Sequence, residues 1–301
     1  MNILFGGIEA GGTKFCCAVG DKLGNIQDKI VIPTTIPEET MPKVISFFRE
    51  INNKTTLSAL GIASFGPIDL NKNSSTYGYI TTPPKFGWGH YDIVNAIKRV
   101  FPVPIGFDTD VNGAALGEHR FGAAVGLDTF LYVTIGTGIG AGGMVSGNLI
   151  HGLVHPEMGH IFIPHDRTCD PFIGSCPFHG DCLEGLASGP ALQKRWGIKS
   201  AFDLPIDHSG WDLEANYLAY AFANYTMLLS PQKIIAGGGV MNNPELLHKI
   251  RPRVQNLLNG YVKHKKILKE IDHYIVAPKL GDNAGICGAI ALAEKAYARK
   301  Y

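Results

Sequence analysis

The sequence predicts an α/β fold, duplicated into two domains that flank a cleft. Three observations carry this expectation. The order strand, glycine turn, strand, hairpin turn occurs from residue 3 and again from residue 130. Segments of helical periodicity follow the strands in both halves. The 301 residues, 45% of them apolar, suffice for two cores of ordinary size.

In the first half, apolar runs predict strands at 3–9, 15–20 and 26–32, with Leu23-Gly24-Asn25 turning the last two into a hairpin. Met41, Val44, Ile45, Phe48 and Ile51 share one helical face, and either Pro37 or Pro42 marks the start of that helix. A buried-type strand at 57–64 follows, then a helix bearing Ile93, Val94, Ile97 and Phe101, then a strand at 104–107. In the second half, strands at 130–135 and 141–145 enclose the turn Gly136-Thr137-Gly138-Ile139-Gly140. Long helices at 213–229 and 245–258 and strands at 233–236 and 274–277 complete it. The expected division is residues 1–118 and 119–301, with the last helix a candidate to pack back on the first domain.

Lysine and arginine total 27 against 26 acidic residues, a net charge of +1, so no basic surplus points to nucleic acid or an anionic membrane. The first residues carry no basic region or cleavage signal, and no apolar run reaches the roughly 20 residues a membrane helix requires. A soluble, cytoplasmic chain is expected. Cys16, Cys17 and Cys287 read as core residues. Cys169, Cys176 and Cys182 sit among histidines, which in a reducing compartment suggests a metal.

Three glycine loops each follow a buried-type strand. The first is Gly7-Ile8-Glu9-Ala10-Gly11-Gly12-Thr13-Lys14. It lacks the Gly-Lys-Ser/Thr ending of a Walker A loop and the helix that follows a dinucleotide fingerprint. It is instead a tight β-turn, whose backbone N–H groups can hold phosphate oxygens. Thr13 adds a hydroxyl and Lys14 a charge, while Glu9 is placed to hold magnesium directly or through water. The second loop, Gly138-Ile139-Gly140-Ala141-Gly142-Gly143, matches a dinucleotide pattern formally but runs on into a strand. The third, Gly237-Gly238-Gly239, precedes a helix beginning near Pro244 and permits close approach of a flat ring and a ribose.

Cys176, His179 and Cys182 fall at even spacing of three, and His160 completes a two-thiolate, two-imidazole set suited to tetrahedral zinc. Four protein ligands leave no open position, so such a metal is structural. Cys169 and His155 are alternative ligands. Glu157, three residues before His160, and Glu184, just after the metal loop, suit the hydroxyls of a sugar. His160 can serve twice, one ring nitrogen on zinc and the other on a hydroxyl. Asp110 lies where a strand gives way to a helix, and two roles fit it there: a helix N-cap, or a carboxylate that accepts an alcohol proton during phosphoryl transfer.

These residues resemble the ROK sugar kinases, and among them the bacterial fructokinase branch, over nearly the whole chain. The resemblance rests on Glu9-Ala10-Gly11-Gly12-Thr13-Lys14, the stretch from Asp110 to Glu118, Gly136-Thr137-Gly138, Glu157-Met158-Gly159-His160, the metal loop and Ala236-Gly237-Gly238-Gly239. It implies an actin-like, ribonuclease H-like ATPase fold and an ATP:hexose 6-phosphotransferase, most specifically a fructokinase. Asp110 would be the base, and Glu157, His160 and Glu184 would bind sugar. Gly11, Gly12, Thr13, Lys14, Thr137 and Gly138 would meet phosphates, with Ser188-Gly189-Pro190 and Gly237, Gly238 and Gly239 along the nucleotide. ATP or ADP and a hexose are the implied partners, zinc and magnesium the implied metals, and a homodimer the implied assembly.

Three departures stand out. Glu9 occupies a position where the family usually has Asp, Thr109 replaces an Asn before the base, and His179 replaces the third cysteine of the more usual metal loop. The fructokinase-like members share that loop form and are also similar at Gly66-Pro67 and Pro84-Lys85-Phe86-Gly87-Trp88. Mannose, glucose or an N-acylated hexosamine are the alternative substrates. A non-catalytic sugar sensor is the alternative of a different class, disfavoured by Asp110 and by a first strand that begins at Ile3 and leaves no room for a helix-turn-helix domain.

Overall fold

The computed structural model describes residues 3–299, which fall into two compact units. Unit 1 takes the chain up to residue 126, residues 149–156 and the chain from 279 onward; unit 2 takes 127–148 and 157–278.

In unit 1, β1 (Leu4–Ala10), β2 (Lys14–Gly20) and β3 (Ile26–Pro33) form an antiparallel meander. The next elements are α1 (Pro37–Asn52), β4 (Leu57–Ser64), a small ribbon of β5 (Tyr79–Ile80) and β6 (Tyr91–Asp92), α2 (Ile93–Lys98), β7 (Ile105–Thr109) and α3 (Asp110–Phe121). The sheet order is β3-β2-β1-β4-β7, with β4 and β7 parallel to β1. Pro37 rather than Pro42 opens α1, because the first helical position requires no N–H donor. Pro102 keeps Phe101 out of α2, although Phe101 is buried in the core as its periodicity requires.

In unit 2, β8 (Phe130–Ile135), β9 (Ile139–Val145) and β10 (Asn148–Leu149) precede α4 (Leu183–Ala187), α5 (Gly189–Trp196) and α6 (Gly210–Leu229). Then come β11 (Ile234–Gly237), α7 (Leu246–Leu258), α8 (Lys265–Leu268), α9 (Ile271–Tyr274) and β12 (Ile275–Val276). The sheet order is β10-β9-β8-β11-β12, which repeats that of unit 1 position for position. The repeat expected from the glycine turns is therefore present as strand order. A single boundary after residue 118 does not describe the division, because α3 runs through it and unit 1 continues to Gly126.

The last helix, α10 (Ala284–Ala298), belongs to unit 1 and lies across its sheet. Gly7, Gly61 and Gly106 are paired neighbours on β1, β4 and β7, forming a row of bare backbone. A Cβ at Gly61 would overlap the Ala289 carbonyl oxygen, and one at Gly106 that of Leu292. The row thus forms the trough in which the helix backbone rests. α3 meets α10 equally closely, where Gly288 faces the Gly113 carbonyl. Gly61→Ala is expected to destabilise the protein by about 1–3 kcal/mol, the usual size of overpacking. A urea midpoint equal to that of the parent, at unchanged slope, would contradict the trough.

Candidate active site

Unit 1 presents two acidic groups. Glu9 sits next to the end of β1, ahead of a turn closed by the Gly11 N–H donating to the Lys14 carbonyl at 3.0 Å. Gly12, Thr13 and Lys14 are exposed in that turn, as the phosphate-loop reading requires. Burial, then the charge of Asp110, raise the Glu9 pKa to about 7 despite Lys14 and Lys29. Its carboxylate lies beside the first turn of α10, where a Cβ on Gly285 would strike it. A half-buried carboxyl whose ionised form is disfavoured by its surroundings is a fitting partner for a divalent cation.

Asp110 is the first residue of α3, directly after β7. The N-cap is Thr109, whose hydroxyl accepts from the Asn112 N–H at 3.1 Å. Asp110 is therefore released from the capping role that the sequence alone left open, and its Oδ1 accepts from the neighbouring Val111 N–H at 2.8 Å. Burial raises its pKa to about 6. The Thr109 side chain is thus committed to the helix start.

Unit 2 holds the cysteine–histidine set. His160, Cys176, His179 and Cys182 bring their ligand atoms within 4.8 Å of one another. Nδ1 of His160 lies 3.7 Å from Cys176 Sγ and 3.5 Å from Cys182 Sγ, and His179 Nδ1 lies 3.7 Å from Cys176 Sγ. Tetrahedral zinc, with bonds of about 2.3 Å to sulfur and 2.0–2.1 Å to nitrogen, sets sulfur–nitrogen edges of about 3.5 Å. The four groups fit that ion. Neither alternative ligand joins them: Cys169 is exposed and directed at Asp166, and His155 belongs to unit 1. Without a metal, burial raises the Cys182 thiol to about 11, and a cation would be needed to hold it as thiolate.

The backbone supports this loop. Cys176 and Gly180 exchange both N–H to carbonyl hydrogen bonds, at 3.0 and 3.2 Å, and Cys182 is the N-cap of α4. Behind it, buried Asp170 accepts from the Tyr217 hydroxyl at 2.6 Å and pairs with Arg195 at 3.1 Å. The Glu184 Oε2 accepts from the Ile139 N–H at 2.9 Å, and Gly138 leaves room for that carboxylate. Nε2 of His160 points away from the thiols and lies 3.9 Å from Glu184 Oε1. Its two nitrogens are thus divided between metal set and carboxylate. Gly159, between Glu157 and His160, packs on the Ile139 carbonyl, which seats that turn against β9.

The nucleotide-type loops of unit 2 also converge. The Gly189 N–H donates to the Gly136 carbonyl at 2.8 Å, placing the start of α5, with Pro190, beside the Gly136–Gly138 turn. Gly238, at φ +94°, lies against the Ile135 backbone at the end of β8. The α7 helix begins at Leu246, after a short 3-10 turn over Gly239–Asn242. Beside Gly239 opens a cavity of about 290 Å³ walled by Phe202, Leu204, Ile206, Trp211 and Asn243. The Asn243 Nδ2 is buried without a partner. The sequence reading missed this wall. Its residues lie in a short irregular segment and on α6, with no period to reveal them. Trp88, by contrast, is wholly buried among Phe15, Phe65 and Tyr91 and donates to the Thr35 carbonyl, so it is a packing residue.

A model of the ROK family matches residues 5–296. The chain belongs to the ROK family. It is 52% identical to a putative fructokinase of Bacillus subtilis (strain 168), over 97% of this chain and 96% of that protein. It is 44% identical to a fructokinase of Pediococcus pentosaceus, over 98% and 99%. Among solved structures, a ROK family glucokinase from Streptomyces griseus in complex with glucose and AMPPNP superposes with a TM-score of 0.73. That pair shares 25% identity over 97% of this chain and 99% of the other. The duplicated sheets are accordingly the actin-like ATPase fold of ROK kinases. No helix among the described residues is long and apolar enough to cross a membrane.

Asp110 has a stability consequence. Its folded pKa, about 6, exceeds the ordinary 3.8 of the unfolded chain, so the carboxylate destabilises this ROK protein increasingly as pH rises from 4 to 6. Asp110→Asn is expected to raise the melting temperature at pH 8, with the gap closing near pH 4. A variant that melts lower at pH 8 would show that the charge is held by favourable contacts instead.

Proposed function

We propose that this chain is an ATP-dependent fructokinase, transferring a phosphoryl group to the terminal primary hydroxyl of D-fructose. The observation that carries the reading is similarity to fructokinases along nearly the entire chain, 44% and 52% identity against 25% to the glucokinase. The cytoplasm, a reducing compartment, suits the six free cysteines.

Each residue then has a task. Glu157, His160 and Glu184 bind the sugar hydroxyls. The carboxylate of Glu184 is aimed by the Ile139 N–H, and the ring of His160 by the thiol set on its Nδ1 side. Asp110 takes the proton from the attacking hydroxyl. A carboxylate with a pKa near 6 is a better base than an ordinary aspartate and is still ionised at neutral pH. The backbone N–H groups of the Gly11–Lys14 and Gly136–Gly138 turns, with Thr13, Lys14 and Thr137, receive the phosphates. Gly237, Gly238, Gly239 and Pro190 lie along the nucleotide, with the apolar cavity as the seat of its base. Magnesium arriving with ATP supplies positive charge to the phosphate oxygens, and Glu9 is the residue we assign to it. Zinc is assigned to the cysteine–histidine set, where it fixes the loop that carries Glu184.

Protein purified without chelator is expected to contain one zinc per chain. Cys182→Ser is expected to lose it and to raise the KM for sugar more than that for ATP. Binding at such sites is worth roughly 10–16 kcal/mol at neutral pH in small peptides, ample to order a loop. Elemental analysis finding no zinc would remove the metal from the scheme.

With magnesium-ATP, fructose is expected to give the highest kcat/KM among fructose, mannose and glucose, falling below about pH 6 as Asp110 is protonated. Asp110→Asn should lower turnover by about 10²–10⁴. Higher efficiency on mannose or glucose would reassign the substrate and leave the kinase. Near-normal turnover of the variant would remove Asp110 as base.

A further inference from the structure

Residues 149–156 form a strap that belongs to unit 1 although the chain on both sides of it belongs to unit 2. Two histidines hold it. His151 Nε2 lies 2.9 and 3.1 Å from the two carboxylate oxygens of Asp108. His155 Nε2 accepts from the Ile68 N–H at 3.1 Å. The two rings need opposite proton states at Nε2, since one must donate and the other must accept.

Asp108 is nearly inaccessible, its side chain 4% exposed against 42% for His151. Its Oδ1 also accepts from the Thr109 N–H at 2.9 Å and from Asn112 Nδ2 at 2.8 Å. Because Nε2 of His151 is committed to Asp108 as a donor, its 3.3 Å approach to Asn112 Nδ2 is a packing contact. Asn112 Nδ2 lies 3.3 Å from the Ile150 carbonyl, a second tie to the strap. One buried carboxylate therefore gathers the N-cap residue of α3, a residue of its first turn and the strap. Asp110 lies between Thr109 and Asn112, and Glu157 is the residue that follows the strap.

We propose that His151 is a positioning residue for phosphoryl transfer: paired with Asp108, it fixes the turn that aims Asp110 and tethers the strap leading to Glu157. This rests on the kinase reading above and adds residues that touch neither phosphate nor base. The charges support it. Asp108 raises the His151 pKa, while burial lowers that of His155. The other titratable groups facing the cluster are Tyr77, Lys295 and Arg299. Burial, then Asp108, raises the Tyr77 pKa, and desolvation then Arg299 lower that of Lys295. None of them replaces His151 as the partner within hydrogen-bond distance of both Asp108 oxygens.

The test compares the parent, His151→Ala and His151→Gln, the last a neutral donor of similar reach. On whichever hexose the parent uses best, His151→Ala is expected to lower kcat/KM for sugar about 10–100-fold, the scale of a buried charge-assisted hydrogen bond. The KM for ATP should change less than twofold, and His151→Gln should recover most of the loss. Above the raised His151 pKa the neutral ring keeps its Nε2–H and loses only the ionic part of the bond, so the parent should decline a few-fold at most, and His151→Gln should lack that alkaline decline. Amide hydrogen exchange over residues 149–157 should accelerate at least tenfold in His151→Ala, whatever the substrate proves to be. Unchanged exchange, or equal losses toward sugar and ATP, would overturn the proposal. A parent inactive on fructose, with exchange accelerated as expected, would instead fault only the substrate assignment.

Discussion

The close approach of α10 to the sheet of unit 1 is the constraint on which the arrangement of that unit depends. A helix can rest its backbone on strands only where side chains are missing, and Gly7, Gly61 and Gly106 supply that absence on three paired strands. The same helix receives α3 at Gly113 and Gly288 and presents Gly285 to the Glu9 carboxylate. Both acidic groups assigned to the reaction in unit 1 are therefore placed by one backbone contact surface. Bulk there would displace the helix, and with it the turn that carries Asp110 and the wall that keeps Glu9 dry. Dryness is what raises both pKa values, so packing and proton chemistry in this unit share a cause.

Unit 2 meets a different problem. Of its sugar-binding candidates, Glu157 and His160 open a segment, 157–182, that contains no helix beyond one short 3-10 turn and no strand of the sheet, and Glu184 follows that segment in the first turn of α4. Such a segment cannot hold a carboxylate by burying an apolar face. It is held by discrete bonds: the Cys176–Gly180 backbone pair, the buried Asp170 with Tyr217 and Arg195, and the four-ligand set around His160. Polar fastening of this kind is directional. It fits the work of a site that reads hydroxyl positions, because a carboxylate left without its partner in a dry pocket costs about 1–3 kcal/mol or more.

Much of this was legible in the chain itself, for identifiable reasons. Strands at 57–64 and 130–135 are short apolar runs bounded by turn residues, and they fall at the bounds read from sequence. Cys176, His179 and Cys182 are close in sequence, so proximity in space follows almost from chain length. The set around His160 could be read for that reason. What could not be read depends on contacts between distant segments. The choice of Thr109 over Asp110 as N-cap rests on side-chain direction at a strand–helix junction. The return of residues 149–156 to unit 1 leaves no compositional mark, and neither do the cavity walls at 201–206. Trp88 shows the converse: it stands in a segment that carries part of the family resemblance, yet its burial makes it a core residue.

The two units handle charge in opposite ways. In unit 1, Glu9 and Asp110 stand in surroundings that disfavour their ionised forms, a destabilisation the folded state tolerates because packing elsewhere outweighs it. In unit 2, Glu184 is met by a backbone N–H and faces an imidazole, so its direction is fixed. The distinction suits the tasks proposed for these groups. A base has to take up a proton near neutral pH, and desolvation sets its affinity for one. A sugar ligand has to remain an acceptor pointing one way, and hydrogen bonds to its charged form achieve that. Asp108 joins both strategies within unit 1. It is more deeply buried than Asp110, and it is supplied with donors from Thr109, Asn112 and His151. A carboxylate so provided is held still, which is the property required of a group that holds others in place.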